Sequence, residues 1–243
     1  MTQNKISAGS YDLNRWLFGG YETEVITTIY GPAGSGKTNF VVLAAVSQAK
    51  KNKKVIFIDT EGGFSNERFR QIAGDVYESA IKNILLLKPT SFQEQKKIFD
   101  SLLKEINNET NIGLIVVDSI TMLYRLEIGD AYKEKNDSKI NITNRELAKQ
   151  LRTLSEISRN NLIPILVTNQ IYYDFVPIRE LDEKQKTAKM VGGDLLKYWS
   201  KCLIELQYNE GKRTALLKKH RSLPEKEFNF LIFNEGIKKR GWI

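Results

Sequence analysis

A chain of 243 residues, 41% hydrophobic and 27% charged, is ordinary globular material, and residues 1–243 read as one α/β domain around a sizeable core. No apolar stretch approaches the roughly 20 residues of a membrane helix, and Met1 to Ser10 lacks the charged-then-apolar layout of a secretion signal, so the expected location is cytoplasmic. The lone Cys202 and the lone His220 exclude an internal disulfide, a thiolate metal cluster and histidine-pair chemistry, while 37 Lys and Arg against 29 Asp and Glu give a net charge of +8 that suits, without requiring, a nucleic-acid partner.

Residues 1–24 are short and polar apart from Tyr11, Leu13, Trp16, Leu17 and Phe18, which predict one helix capping the sheet edge. An apolar run from Val25 to Tyr30 predicts a buried strand, and Asn39 to Lys50 predicts a helix, with Phe40, Leu43, Ala44 and Ser47 at helical spacing. Between them lies Gly31-Pro32-Ala33-Gly34-Ser35-Gly36-Lys37-Thr38. A glycine-rich turn from strand to helix lets backbone amides face phosphate oxygens at the positive helix end. Lys37 supplies a point charge for the outer phosphates and the Thr38 hydroxyl a magnesium ligand, with Asn39 continuing the site into the helix. The pattern predicts an ATP and Mg2+ site.

Lys50 to Lys54 is a basic, solvated turn, followed by a strand from Val55 to Asp59 and a helix over Asn66 to Tyr77. Ile84 to Leu87 is a third strand. Ser91 with Glu94 predicts a capping box that opens a helix whose core face is Phe92, Phe99, Leu102, Leu103 and Ile106. Leu114 to Val117 predicts a strand ending in Asp118, and a carboxylate there is placed to orient magnesium water at the ligand-binding edge. Thr121 to Ile142 reads as a polar, irregular loop. A helix then runs from Asn144 to about Asn160 on Leu147, Leu151, Leu154 and Ile157, and a strand from Leu162 to Val167 delivers Asn169 and Gln170 to the same edge. Residues 171–190 read as a long functional loop. Cys202 to Gln207, Thr214 to Lys219 and Phe228 to Phe233 predict three antiparallel strands at the far side.

The motifs GPAGSGKT, Asp59-Thr60-Glu61-Gly62-Gly63-Phe64, LIVVDS and the VTNQ that ends at Gln170 together resemble the RecA/RadA recombinase core, in order, from about Ser7 to about Gly236. The fold implied is a RecA-like P-loop ATPase core, a mostly parallel sheet flanked by helices with antiparallel strands at its C-terminal edge. The chain is most similar to the short archaeal paralogues that consist of the ATPase core alone. By that resemblance Glu61 is the general base, Asp118 holds magnesium through water, Gln170 senses the γ-phosphate and Arg68 stacks over adenine. Residues 125–142 and 171–190 occupy the positions of the family's two DNA-binding loops. Arg125 lies in the first, while the second offers Tyr172 and Tyr173 for base stacking and Arg179, Lys184, Lys186 and Lys189 for phosphates, diluted by Asp174, Glu180, Asp182 and Glu183.

The helix-hairpin-helix domain and polymerisation segment of full-length relatives have no room ahead of Gly31, so filament formation and strand exchange are not expected. Lys219-His220-Arg221 replaces the family's acidic cap and is similar to the trans-acting Lys-x-Arg finger of KaiC-like and DnaB-like ATPases; it reads equally as a basic strand end before Leu223-Pro224. The function implied is an ATP-binding, weakly hydrolysing, DNA-binding accessory of recombination and repair. Its implied partners are single-stranded DNA, a RadA-type recombinase, and Holliday-junction or replication enzymes, with no membrane. The competing readings are a ring ATPase using Lys219 and Arg221 in trans and a non-catalytic adaptor stabilised by nucleotide.

Overall fold

The computed structural model describes residues 5–108, 111–173 and 188–241. Strands β1 (Lys5–Ile6) and β2 (Tyr21–Glu22) form a small antiparallel pair around α1 (Tyr11–Trp16). The main chain continues through β3 (Ile26–Gly31), α2 (Lys37–Ala49), β4 (Lys54–Asp59), α3 (Asn66–Ala73), α4 (Tyr77–Ala80), β5 (Ile84–Leu87), α5 (Phe92–Asn108) and β6 (Ile112–Asp118). After these come α6 (Met122–Lys133), α7 (Asp137–Asn161), β7 (Ile165–Tyr173), β8 (Ala188–Met190) and α8 (Gly193–Trp199), then β9 (Ser200–Asn209), β10 (Lys212–Lys219), β11 (Lys226–Phe233) and β12 (Gly236–Lys239).

The large sheet has the order β12-β11-β10-β9-β3-β7-β6-β4-β5, with β8 added to β7. Its central strands run parallel and are apolar on both sides because helices cover both faces. Alternation along each strand divides the core in two. Val55, Phe57, Leu114, Val116 and Leu166 face α2 and α3, while Ile56, Ile58, Ile115, Val117, Ile165 and Val167 face α5, α6 and α7. The sheet crossovers therefore bring the C-terminal ends of β3, β4, β6 and β7 to one edge, where ligands of open α/β sheets bind.

The cap forms as expected, and its packing shows why. Ser10 accepts from the Leu13 amide and donates to the Ile237 carbonyl at 2.6 Å, Asp12 accepts from the Lys239 amide at 2.7 Å, and Trp16 stacks on Phe228. Phe18, in contrast, is 76% exposed.

Several expectations need correction. The segment 125–142 is helical, not irregular. Arg125 lies within α6, whose Leu123, Tyr124 and Ala131 are buried, and α7 begins at Asp137, capped by the Asn136 side chain, which accepts from the Lys139 amide. Tertiary contacts override the polar composition: the Tyr124 hydroxyl donates to Asn144 Oδ1 at 2.7 Å, and Lys139 pairs with Glu127 and Glu134 across the turn. On α5, Leu103 is 42% exposed and does not join the core face. Glu94 reaches back to the Thr90 amide and hydroxyl, not the Ser91 amide, so the box is one residue looser than its sequence suggests. The fifth large-sheet strand starts at Ile165 and continues to Tyr173, pairing antiparallel with β8, so the ends of 171–190 are strands. The C-terminal segment holds four strands, and β9 runs parallel to β3. Only β10, β11 and β12 extend it in antiparallel fashion.

Candidate functional site

The phosphate loop leaves β3 at Gly31 and re-enters regular structure at α2, whose first residue, Lys37, follows Gly36 in the left-handed region at φ 105°. A Cβ at Gly36 would also sit 3.1 Å from the Ile232 side chain, so both conformation and space require glycine. The first amides of α2 lack helical acceptors, and the Ser35 hydroxyl is buried with no partner. Unsatisfied donors at a helix N-terminus fit a phosphate. The Lys37 ammonium donates to the carbonyls of Gly31 and Pro32 at 3.0 and 2.9 Å. Burial pushes its pKa down, and the Glu61 and Asp118 carboxylates oppose that shift. With three donors on an ammonium, one remains for an anion.

Asp118 ends β6 in register with Asp59 on β4. Its carboxylate is almost fully buried, accepting from the Thr38 hydroxyl at 2.8 Å through one oxygen and from the Thr168 hydroxyl through the other. Burial raises the Asp118 pKa, the two hydroxyl bonds lower it, and the Glu61 and Asp59 carboxylates add to the rise. The Asp118–Ser119 peptide is cis. Magnesium prefers a few hard oxygens and keeps several waters, so Thr38 and Asp118 side by side fit it. Among the described residues no cluster of three or more His, Cys, Asp or Glu forms an all-protein cage for a metal. Gly63 lies beside this pair: a Cβ there would come within 3.6 Å of Thr38 Oγ1 and 3.7 Å of Asp118 Oδ2.

Glu61 is exposed at the end of β4, and its Oε1 accepts from Gln170 Nε2 at 2.8 Å. The loop behind it is fixed by Asp59, whose two oxygens accept from the amides of Gly63 and Phe64 at 3.0 Å each. Phe64 is in turn packed on Phe57 and Phe69. Arg68 lies beside the loop helix, donating to Asn39 Oδ1 at 2.7 Å, to Gln71 and to the Asn234 carbonyl. Sequence reasoning missed four contributors here. Thr168 is hidden in VTNQ and Asp59 with Thr60 in the DTEGGF stretch, and Arg213 reaches the Gly34 carbonyl at 3.3 Å while stacked 4.3 Å over Tyr208. Only the motif positions of the first three offered a signal.

Not every expected residue joins this cluster. Asn169 turns away, accepting from the Thr121 hydroxyl and donating to the Val191 carbonyl at 2.9 Å, where it pins the base of the 171–190 segment. Lys219 pairs with Leu203 and Leu203 with Thr28, so the Lys219-His220-Arg221 triplet sits toward the N-terminal end of β3, away from its own phosphate loop. There Lys219 donates to the Lys197 and Ser200 carbonyls at 2.8 Å, and Arg221 pairs with Glu22 at 2.9 Å and Glu24 at 3.4 Å. Arg179, Lys184 and Lys186, and the side chains of Tyr172, Tyr173 and Lys189, lie outside the described residues. Burial pushes the Cys202 thiol up to about 12, which leaves it without nucleophilic use. No helix among the described residues is long and apolar enough to cross a membrane.

Comparison with known proteins agrees with this geometry. The Rad51 family model matches residues 2–240. The chain is similar to proteins named DNA repair and recombination protein RadB from Methanobrevibacter smithii, at 40% identity over 93% of this chain and 92% of that one, and from Methanocaldococcus jannaschii, at 40% identity over 93% and 98%. A solved structure described as the crystal structure of the RadB recombinase superposes with a TM-score of 0.75 at 33% identity, over 97% of this chain and all of the other.

The buried Asp118 also fixes a stability signature. Its folded pKa is raised, so between the unfolded value near 3.9 and the folded one the native state binds more protons, and stability falls as pH climbs through that window and stays lower above it. Asp118→Asn removes this cost. In metal-free buffer it should melt higher than the parent at neutral pH, and the gain should shrink toward zero below about pH 4. Thermal melts across that range check it, and a variant less stable at neutral pH contradicts it.

Proposed function

This chain belongs to the Rad51 family, and from that premise we propose that it is an ATP-binding, slowly hydrolysing, DNA-binding accessory protein of homologous recombination and repair. We place it in the cytoplasm, beside a RadA-type recombinase. Members of the family are in general P-loop ATPases that use nucleotide and magnesium. The observation that carries the reading is the gathering of Lys37, Thr38, Glu61, Asp118 and Gln170 at one sheet edge, with Glu61 bonded to Gln170 and Asp118 to Thr38. The names of the archaeal relatives support the role in repair and recombination.

In this reading the loop amides and Lys37 hold the triphosphate, and Arg68, fixed by Asn39 and the Asn234 carbonyl, bounds the base. Thr38 and Asp118 would hold magnesium, which would supply charge neutralisation on the outer phosphates. Glu61 accepts a proton from the attacking water as the general base, and the Gln170 amide keeps its carboxylate turned inward. Gln170 is three residues from the end of β7, so the base is joined by one strand to the start of the second proposed DNA segment. The ring-ATPase reading is the weaker one, because Lys219 and Arg221 are engaged within their own chain.

Lys37→Ala should weaken ATP binding by about tenfold or more, whereas Glu61→Gln should bind ATP as the parent does and lose about 10² to 10⁴ in turnover. Nucleotide titration and phosphate release measure the two effects. Unchanged turnover in Glu61→Gln would mean that Glu61 has no catalytic role. For DNA, joint replacement of Lys184, Lys186 and Lys189 by Ala should flatten the dependence of log affinity for single strands on log salt by about two units, at roughly 0.7 per contact. An unaltered slope moves the DNA site elsewhere.

A further inference from the structure

Among the described residues Glu61 makes one side-chain hydrogen bond, to Gln170, and it is exposed, so its position depends on how its backbone is held. On the downstream side Asp59 holds the Gly63 and Phe64 amides. On the upstream side the holder is Thr60, a residue 8% exposed that hydrogen-bonds to the segment carrying Asp118. The Thr60 amide donates to the Asp118 carbonyl at 2.6 Å. The Thr60 hydroxyl donates to the Ser119 carbonyl at 2.6 Å and accepts from the Ser119 amide at 3.1 Å. A second approach of that hydroxyl, to the Asp118 carbonyl, is 3.3 Å.

One hydroxyl thus satisfies both the N–H and the C=O of the residue after Asp118, one step beyond the last register pair of the β4–β6 ladder, where the Thr60 amide to the Asp118 carbonyl is the backbone bond that remains. Glu61 is the next residue on one side, and Asp118 the preceding one on the other. We propose that Thr60 is a positioning residue that locks Glu61 and Asp118 into one unit, so that the proton acceptor and the magnesium-orienting carboxylate keep a fixed separation. The proposal rests on reading the phosphate-loop site as an ATPase site. It adds that the hydroxyl of residue 60, as distinct from its volume, is what hydrolysis needs. Valine has nearly the same shape and no hydroxyl; serine keeps the hydroxyl and loses a methyl group.

The test uses the whole chain with Thr60→Val and Thr60→Ser, read by ATP turnover, by ATP affinity with magnesium and with chelator, and by thermal melting. Since a shift of about 1 Å at such a site costs on the order of 10²-fold in rate, Thr60→Val should lose about tenfold or more in kcat, with KM for ATP and metal-free affinity within about twofold of the parent. Thr60→Ser should restore kcat to within about threefold even though it also lacks the methyl group. In Thr60→Val the gain in ATP affinity that magnesium confers should shrink, a readout that stands even if the parent does not hydrolyse. A parent without turnover contradicts the ATPase reading, and the magnesium arm then decides the positioning proposal. Thr60→Val with parental kcat and parental magnesium gain overturns it, as does an equal loss in Thr60→Ser, and as does a metal-free affinity that falls in step with melting temperature.

Discussion

The structure depends on a buried carboxylate shared by three elements. Asp118 sits at the end of β6, one of its oxygens taken by Thr38 at the start of α2 and the other by Thr168 on β7. An ionised acid in such a place is costly unless its lone pairs are occupied, and two hydroxyl donors occupy them. The Thr38 bond ties the phosphate-loop helix to the sheet, and the Thr168 bond ties β7 to β6, at the point where nucleotide oxygens and metal would meet. Burial of that carboxylate costs stability, the trade that the proposed catalytic role would explain.

Around that carboxylate the fold supplies direction. Parallel strands with helices on both faces place their C-terminal ends together, so loops after β3, β4, β6 and β7 converge without any one of them being long. Each loop contributes one part of the proposed site: the free amides and Lys37 after β3, Glu61 after β4, Asp118 at the end of β6, Gln170 near the end of β7. The antiparallel extension adds a second support, because Phe230 and Ile232 of β11 pack beside Gly36 and the Asn234 carbonyl holds Arg68. A terminal set of strands far along the chain thereby supports the phosphate loop.

The central strands were legible because burial on both faces leaves uninterrupted apolar runs such as Val55 to Asp59 and Leu114 to Asp118, and the phosphate loop because its glycines and Lys37-Thr38 have few other uses at that spacing. The helix over Met122 to Lys133 was not legible. Its stability comes from Tyr124 reaching Asn144 and from charges paired across a turn, contacts that no local pattern announces, and Gly129 points into open space where its missing side chain costs packing nothing. The parallel pairing of β9 with β3 is a property of the chain's path and leaves no mark on the alternation of Cys202 to Gln207. Thr60 and Thr168 were invisible for another reason: threonine is common in strands, and only distance distinguishes one whose hydroxyl holds a neighbouring segment from one that fills a surface.

The central claim is that the amides of the phosphate loop, Lys37, Glu61 and Asp118 form a single working site. Its most direct test is the rate of phosphate release from ATP by the unmodified chain, followed as magnesium is titrated from chelated to saturating levels. The account predicts turnover that is absent without the metal and rises to a plateau as Thr38 and Asp118 fill. A rate that is zero throughout, or one indifferent to magnesium, would contradict it.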